Sequence, residues 1–172
     1  MKVNIPNNIK ERLVHFQEEV KKYFSFLANY GYSHDKVEMG RKDLLLDYYC
    51  EIIFKNGNTK ISIGYSTDAL NGSQIAFPDV KEKPIFDNLI SCYISDSNAF
   101  MSIRSFAEAK LPAGHFLIPL NVENLDFEIS RVLKNYADFF QNNLIDVLKK
   151  DKIYDCHTDR FNDKIFKEIN YR

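Results

Sequence analysis

An α+β domain built on an antiparallel sheet is the fold class this sequence predicts, and three observations predict it. Apolar residues recur at helical spacing near both ends of the chain. Between those segments they alternate with period two on either side of Asn56-Gly57, a strong hairpin signal. The strands form a run bounded by helices rather than alternating with them, which puts helices on one face of an antiparallel sheet. With 172 residues and no linker-like tract, the whole of 1–172 is read as a single α+β domain.

The first element is a helix from about Asn8 to Asn29. Ile9, Leu13, Phe16, Val20, Tyr23, Phe24 and Leu27 form its apolar stripe, and Lys10, Glu11, Glu18, Lys21 and Lys22 lie mostly opposite. Asn8 with Glu11 makes a capping-box-like start, and Gly31 a stop. A hairpin follows. Leu44, Leu46, Tyr48, Cys50, Ile52 and Phe54 alternate on one strand, and Ile61, Ile63 and Tyr65 on the next. A two-residue loop at Asn56-Gly57 pairs Phe54 with Thr59, Ile52 with Ile61 and Cys50 with Ile63, which keeps both apolar sets on one face. A third strand is expected at Ser73 to Phe77, after a three-residue loop ending at Gly72.

The middle of the chain is less regular. Asn88 to Ser95 reads as a strand with Ile90, Cys92 and Ile94 on one face, although a helix opened by Pro84 also fits the spacing. Ala99 to Ser105 would be the partner strand, followed by a short helical turn around Phe106 to Lys110. Pro112, Gly114 and Pro119 argue against a long element before Leu120. A long helix is then expected from about Glu123 to Lys150. Its stripe includes Leu125, Ile129, Val132, Leu133, Tyr136, Phe139, Phe140, Leu144 and Val147. A short final helix, Asp159 to Ile169, follows Thr158 as its cap.

Composition narrows the function. Lys plus Arg is 23 against 24 for Asp plus Glu, so no basic excess drives binding to nucleic acid or to an anionic membrane. No run approaches the roughly 20 apolar residues of a membrane span, and no secretory signal opens the chain. With 14 Phe and 10 Tyr the chain is too aromatic to be disordered. Cys50, Cys92 and Cys156 are odd in number and lack C-x-x-C spacing, which fits reduced thiols in a cytoplasmic protein.

Chemistry-bearing motifs are scarce. His15, His34, His115 and His157 show no metal-ligand spacing, and there is no phosphate-cradling glycine loop and no G-x-S-x-G. No cofactor and no metal are expected, and the chain reads as a non-enzyme. The competing enzyme reading needs a site assembled from dispersed groups such as His34, His115 and His157 with nearby carboxylates.

Two surfaces suggest a partner. The hairpin's second face carries Leu45, Tyr49 and Ile53 among Asp47, Glu51 and Lys55, where a solvated face would be polar throughout. The register above sets Tyr49 across from Gly64. This face is either covered by another segment, such as His115 to Leu120, or forms a protein-binding patch with a Tyr anchor and a charged rim. Asp151, Asp155, Asp159 and Asp163 recur every fourth residue. They make either an acidic edge for a basic partner or, at Asp159 and Asp163, favourable charges near the last helix's N-terminus. The partner-binding candidates are therefore Leu45, Tyr49, Glu51, Ile53, Asp155 and Asp159.

The N-terminal helix, the hairpin Tyr48-Tyr49-Cys50-Glu51-Ile52-Ile53-Phe54-Lys55-Asn56-Gly57 and the long C-terminal helix resemble small bacterial α+β proteins of the toxin-immunity type. Secretion-chaperone-like proteins share a similar layout. The resemblance implies a cytoplasmic protein that binds another protein by occluding it, without catalysis. A homodimer burying Tyr49 and Ile53 against their own copies is the remaining alternative.

Overall fold

The N-terminal stripe folds as α1 (Asn7–Tyr23), which turns Leu13, Phe16 and Val20 into the core. Pro6 stands at its N-cap and its carbonyl accepts from the Ile9 and Lys10 amides at 3.1 and 2.9 Å. No side chain caps this end, so the capping box of Asn8 and Glu11 does not form; Asn8 lies inside the helix. The helix also stops earlier than its stripe suggests. At Phe24 the chain tightens into a 3-10 turn, Ser25–Tyr30, which keeps Leu27 buried before Gly31 redirects it. The Asn56 amide then donates to the Tyr30 carbonyl at 2.8 Å, tying this turn to the sheet.

In this computed structural model the described residues are 5–42, 47–67, 86–87, 89–96, 100–107, 111–112, 114–119 and 123–149. They form a five-stranded antiparallel meander of β1 (Ser33–Lys42), β2 (Asp47–Asn56), β3 (Thr59–Ser66), β5 (Ile90–Ser95) and β6 (Phe100–Ser102), paired in that order. Two-residue strands β4 (Phe86–Asp87) and β7 (Ile118–Pro119) pair separately. The remaining helices are α2 (Ile103–Ala107), α3 (Leu125–Asn143) and α4 (Ile145–Leu148). The fold class is thus the expected one, with a first strand that the alternation pattern did not reveal. The strand expected at Ser73 to Phe77 and the final helix at Asp159 to Ile169 lie outside the described residues.

The hairpin turn differs by one residue from the sequence expectation. Gly57 and Asn58 form the loop, with Asn56 opposite Thr59 and Phe54 opposite Ile61. Gly57 has φ +59°, a conformation that side chains resist, and it occupies the first loop position. The register moves by two residues. An even shift leaves every side chain on its expected face, so the apolar set Cys50, Ile52, Ile61, Ile63 and Tyr65 is still buried together. It does move Tyr49 away from Gly64: Tyr49 faces Ser66, and Glu51 takes the place opposite Gly64.

β5 is a strand, with Ile90, Cys92 and Ile94 buried. Its partner β6 ends at Ser102, because Ile103 opens α2 instead of extending the strand to Ser105. The long C-terminal helix breaks in two. Leu144, at φ −121° and ψ 24°, separates α3 from α4. Just before it, the Asn143 amide donates back to the Phe139 carbonyl at 3.2 Å, local bonding that competes with helix continuation. At its other end α3 is capped by Asn124, whose side chain accepts from the Phe127 amide.

Helices α1 and α3 lie side by side on one face of the sheet. α1 rests on β2 and β3, and α3 on β5. Phe16 meets the Tyr65 ring at 5.5 Å, and Phe24 meets Phe140 edge-on at 6.0 Å. One buried cluster joins residues of both helices, α2, α4 and the sheet. Among the described residues, no helix is long and apolar enough to cross a membrane.

Candidate functional site

The helix layer ends at β2, and β1 lies beyond it. Val37 pairs with Ile52 and Met39 with Cys50, so both side chains share the sheet's core-facing side. Yet Val37 is 37% and Met39 42% exposed, while Ile52 and Cys50 are fully buried. Gln17 of α1 reaches over, with its Nε2 2.9 Å from the Met39 sulfur. One turn earlier on α1, Val14 is also exposed. Val37 and Met39 thus form an exposed apolar pair on the sheet's outer edge.

The backbone of this edge can be oriented from its neighbours. The Thr67 amide donates to the Tyr48 carbonyl at 2.9 Å, and the Tyr48 amide donates to Thr67 Oγ1 at 3.0 Å. The Tyr48 backbone thus faces away from β1. Alternation turns the Tyr49, Glu51 and Ile53 backbones toward β1, where Gly40, Glu38 and Lys36 face them. Val37, Met39 and Arg41 must then direct their N–H and C=O groups outward. Among the described residues no strand pairs with them there.

The opposite face of this edge is charged. Glu38 sits directly across from Glu51, a like-charge pair that destabilises a ladder. Lys36 binds the Glu38 carboxylate, and that hydrogen bond, with the neighbouring carboxylates, raises the Lys36 pKa. A bulge between His34 and Lys36 interrupts the ladder at Asp35. Tyr49 lies across Gly40: a Cβ at position 40 would meet its ring and hydroxyl at 2.9–3.0 Å. The bare glycine makes room for the ring, which covers exposed backbone.

Among the residues expected to bind a partner, Tyr49 and Glu51 are half-buried on this outer face. Ile53 is only 8% exposed, so beside the Tyr49 anchor it offers a partner little surface. Leu45, Asp155 and Asp159 lie outside the described residues. The segment His115 to Leu120, considered as a cover for this face, has its described part bound to α3 instead. Arg131 Nη2 donates to the Leu117 carbonyl at 2.7 Å and Asn135 Nδ2 to the His115 carbonyl at 2.7 Å. Phe116 stacks on Tyr136 at 4.1 Å with the planes 9° apart.

The histidines do not converge into a catalytic set among the described residues. His34 stands edge-on to Phe54 at 6.0 Å, at the start of β1. His15 contacts the Asp126 carbonyl at 3.2 Å, between α1 and α3. Burial, reinforced by the Arg131 charge and partly offset by Asp138, lowers the His115 pKa. His157 lies outside the described residues. No group of three or more potential metal ligands occurs among those described. Burial pushes the Cys50 thiol up to about 11 and the Cys92 thiol well above its ordinary value, which makes both poor nucleophiles.

Sequence reading missed Val37 and Met39 as surface candidates. The signal was present but short: two apolar residues alternating with Lys36 and Glu38, the pattern of a charged edge strand. No protein-family model matches the chain. Searches of curated proteins and of solved structures likewise find no match.

Proposed function

We propose that this chain is a non-enzymatic protein-binding module whose edge strand β1 receives an extended segment of another protein. The observation that supports it is the outward backbone of Val37, Met39 and Arg41 beside the exposed Val37 and Met39 side chains. Strand addition takes its affinity from such main-chain groups and its specificity from alternate side chains. The fitting segment carries apolar residues on the Val37/Met39 side. On the other side it carries a base opposite Glu38 or an acid opposite Lys36. An immunity-type inhibitor would use this edge to occlude a toxin, and a secretion-chaperone-like protein to hold a client; pattern resemblance supports those narrower forms.

A second copy of the chain is the other occupant with specific support. Antiparallel pairing of β1 with itself about Val37 sets Lys36 opposite Glu38 of the second copy, and Glu38 opposite its Lys36. Val37 then meets Val37, with the outward backbone groups in bonding register.

The test is Met39→Pro. It removes an outward amide and leaves the β1–β2 bonds in place. Peptides selected from a random display library against the native protein should alternate apolar and charged residues. They should lose binding to Met39→Pro, with folding verified by circular dichroism. Peptides that bind both proteins equally would overturn the proposal. Light scattering separates the second occupant, which requires a native dimer and a Met39→Pro monomer.

A further inference from the structure

β6 pairs with β5 only from Tyr93 to Ser95, and at Ile103 the chain leaves the sheet to form α2. Where the strand stops, a cavity of about 260 Å³ opens beside β5. Ser91 and Tyr93 of β5, Phe100 and Ser102 of β6, and Arg104 and Ser105 of α2 line most of it. Tyr136 closes one side, with its hydroxyl 3.5 Å from the Ile90 carbonyl. The Tyr93 and Phe100 rings lie 4.8 Å apart and form an aromatic wall.

Arg104 is the feature that the fold alone does not explain. It is half-buried, and its Nη1 is fully buried with no hydrogen-bond acceptor. Among the described lining residues there is no carboxylate to answer it. A buried cationic donor without an acceptor is costly, and an anion in the cavity would remove that cost. The polar residues that line it belong to separate elements: Arg104 and Ser105 to α2, and Ser91 to β5. Ser102 accepts the Ser105 amide at 3.4 Å, fixing the start of α2 against β6.

We propose that this cavity binds a small phosphomonoester, with Arg104 as the charge partner of the phosphate and Ser91 and Ser105 as further donors. The Tyr93–Phe100 wall takes the organic group. A phosphate presents three terminal oxygens in different directions, which suits donors arriving from two elements. A carboxylate presents two in one plane, which the guanidinium fork would satisfy alone. The cavity, about 260 Å³ and open on one side, has room for a phosphate carrying a small ring. The site is independent of the β1 edge, since none of its residues belongs to β1 or β2.

The test is calorimetric titration of the full chain with inorganic phosphate, phenyl phosphate and benzoate. Phenyl phosphate should bind tightest. Arg104→Gln should weaken it by about tenfold or more, the loss of a charge-assisted contact, and Arg104→Lys by less. Ser91→Ala, a milder change, should weaken it by about threefold or more, the loss of one hydroxyl hydrogen bond to the phosphate. Circular dichroism verifies that each variant is folded. No binding of either phosphate at millimolar concentration, or unchanged binding by Arg104→Gln and Ser91→Ala, would overturn the site. Equal affinity for inorganic phosphate would overturn the monoester and assign the free ion, and benzoate binding as tightly as phenyl phosphate would overturn the phosphate preference.

Discussion

Phe116→Ala is the sharpest probe of how the chain between α2 and α3 is held. Phe116 is 4% exposed, stacked on Tyr136 at 4.1 Å and edge-on to Phe139 at 5.9 Å. Removing a buried Phe ring costs about 3–5 kcal/mol. Where the cost falls in that range depends on whether the surroundings can close over the gap. Here they are held open. Arg131 and Asn135 bind the carbonyls of Leu117 and His115, on either side of the lost ring, at 2.7 Å. The expected loss is therefore in the middle to upper range, about 4 kcal/mol. For a protein of this size that is about 8–16 °C in Tm. Urea unfolding followed by far-ultraviolet circular dichroism measures it, since the chain has no tryptophan. A double-mutant cycle with Tyr136→Leu should return a coupling of about 1 kcal/mol for the stacked pair. The Tyr136 hydroxyl contact to Ile90 is lost in both arms and cancels. A loss below about 1.5 kcal/mol with no coupling would refute the docking of this segment on α3.

Two further predictions concern titratable groups. The His115 pKa is lowered in the fold from 6.5, so the unfolded chain binds more protons between the two values. The stability that His115 contributes is full above about 6.5 and is lost as pH falls through the folded value. His115→Gln should flatten the rise of unfolding free energy as pH climbs toward 6.5; identical slopes in both proteins would count against it. In a Cys156→Ser background, Cys50 and Cys92 should resist a thiol reagent at pH 8. With the Cys50 thiol at about 11, roughly one molecule in a thousand carries its thiolate at that pH. Labelling at the rate of the urea-unfolded chain would contradict their burial.

The parts of the fold legible in the sequence were those where one period dominates. The Leu13, Phe16 and Val20 stripe and the Cys50, Ile52, Ile61 and Ile63 alternation each face a full layer, so their patterns are long and clean. β1 was illegible because an edge strand beyond the helix layer needs few apolar residues and carries charges instead. The turn was misplaced by one residue because Asn-Gly and Gly-Asn loops preserve the same faces, and the alternation cannot choose between them. Gly57 takes a positive φ in either loop, and the Asn56 side-chain bond to the Tyr30 carbonyl accompanies the observed one. For the candidate site, Tyr49 and Glu51 were placed on the correct face, but the edge beside them depends on a strand pairing the sequence did not disclose. Arg104 could not have been singled out, because its significance lies in where β6 ends.

The most direct measurement is residue-resolved amide hydrogen exchange on the free protein, repeated with a selected peptide bound. The open edge predicts alternation along β1: fast exchange at Val37, Met39 and Arg41, and slow exchange at Glu38 and Gly40, which face β2. On binding, the fast set should become slow while the slow set stays unchanged. Uniform protection in the free protein, or a bound peptide that leaves Val37 and Met39 exchanging freely, would contradict strand addition at β1.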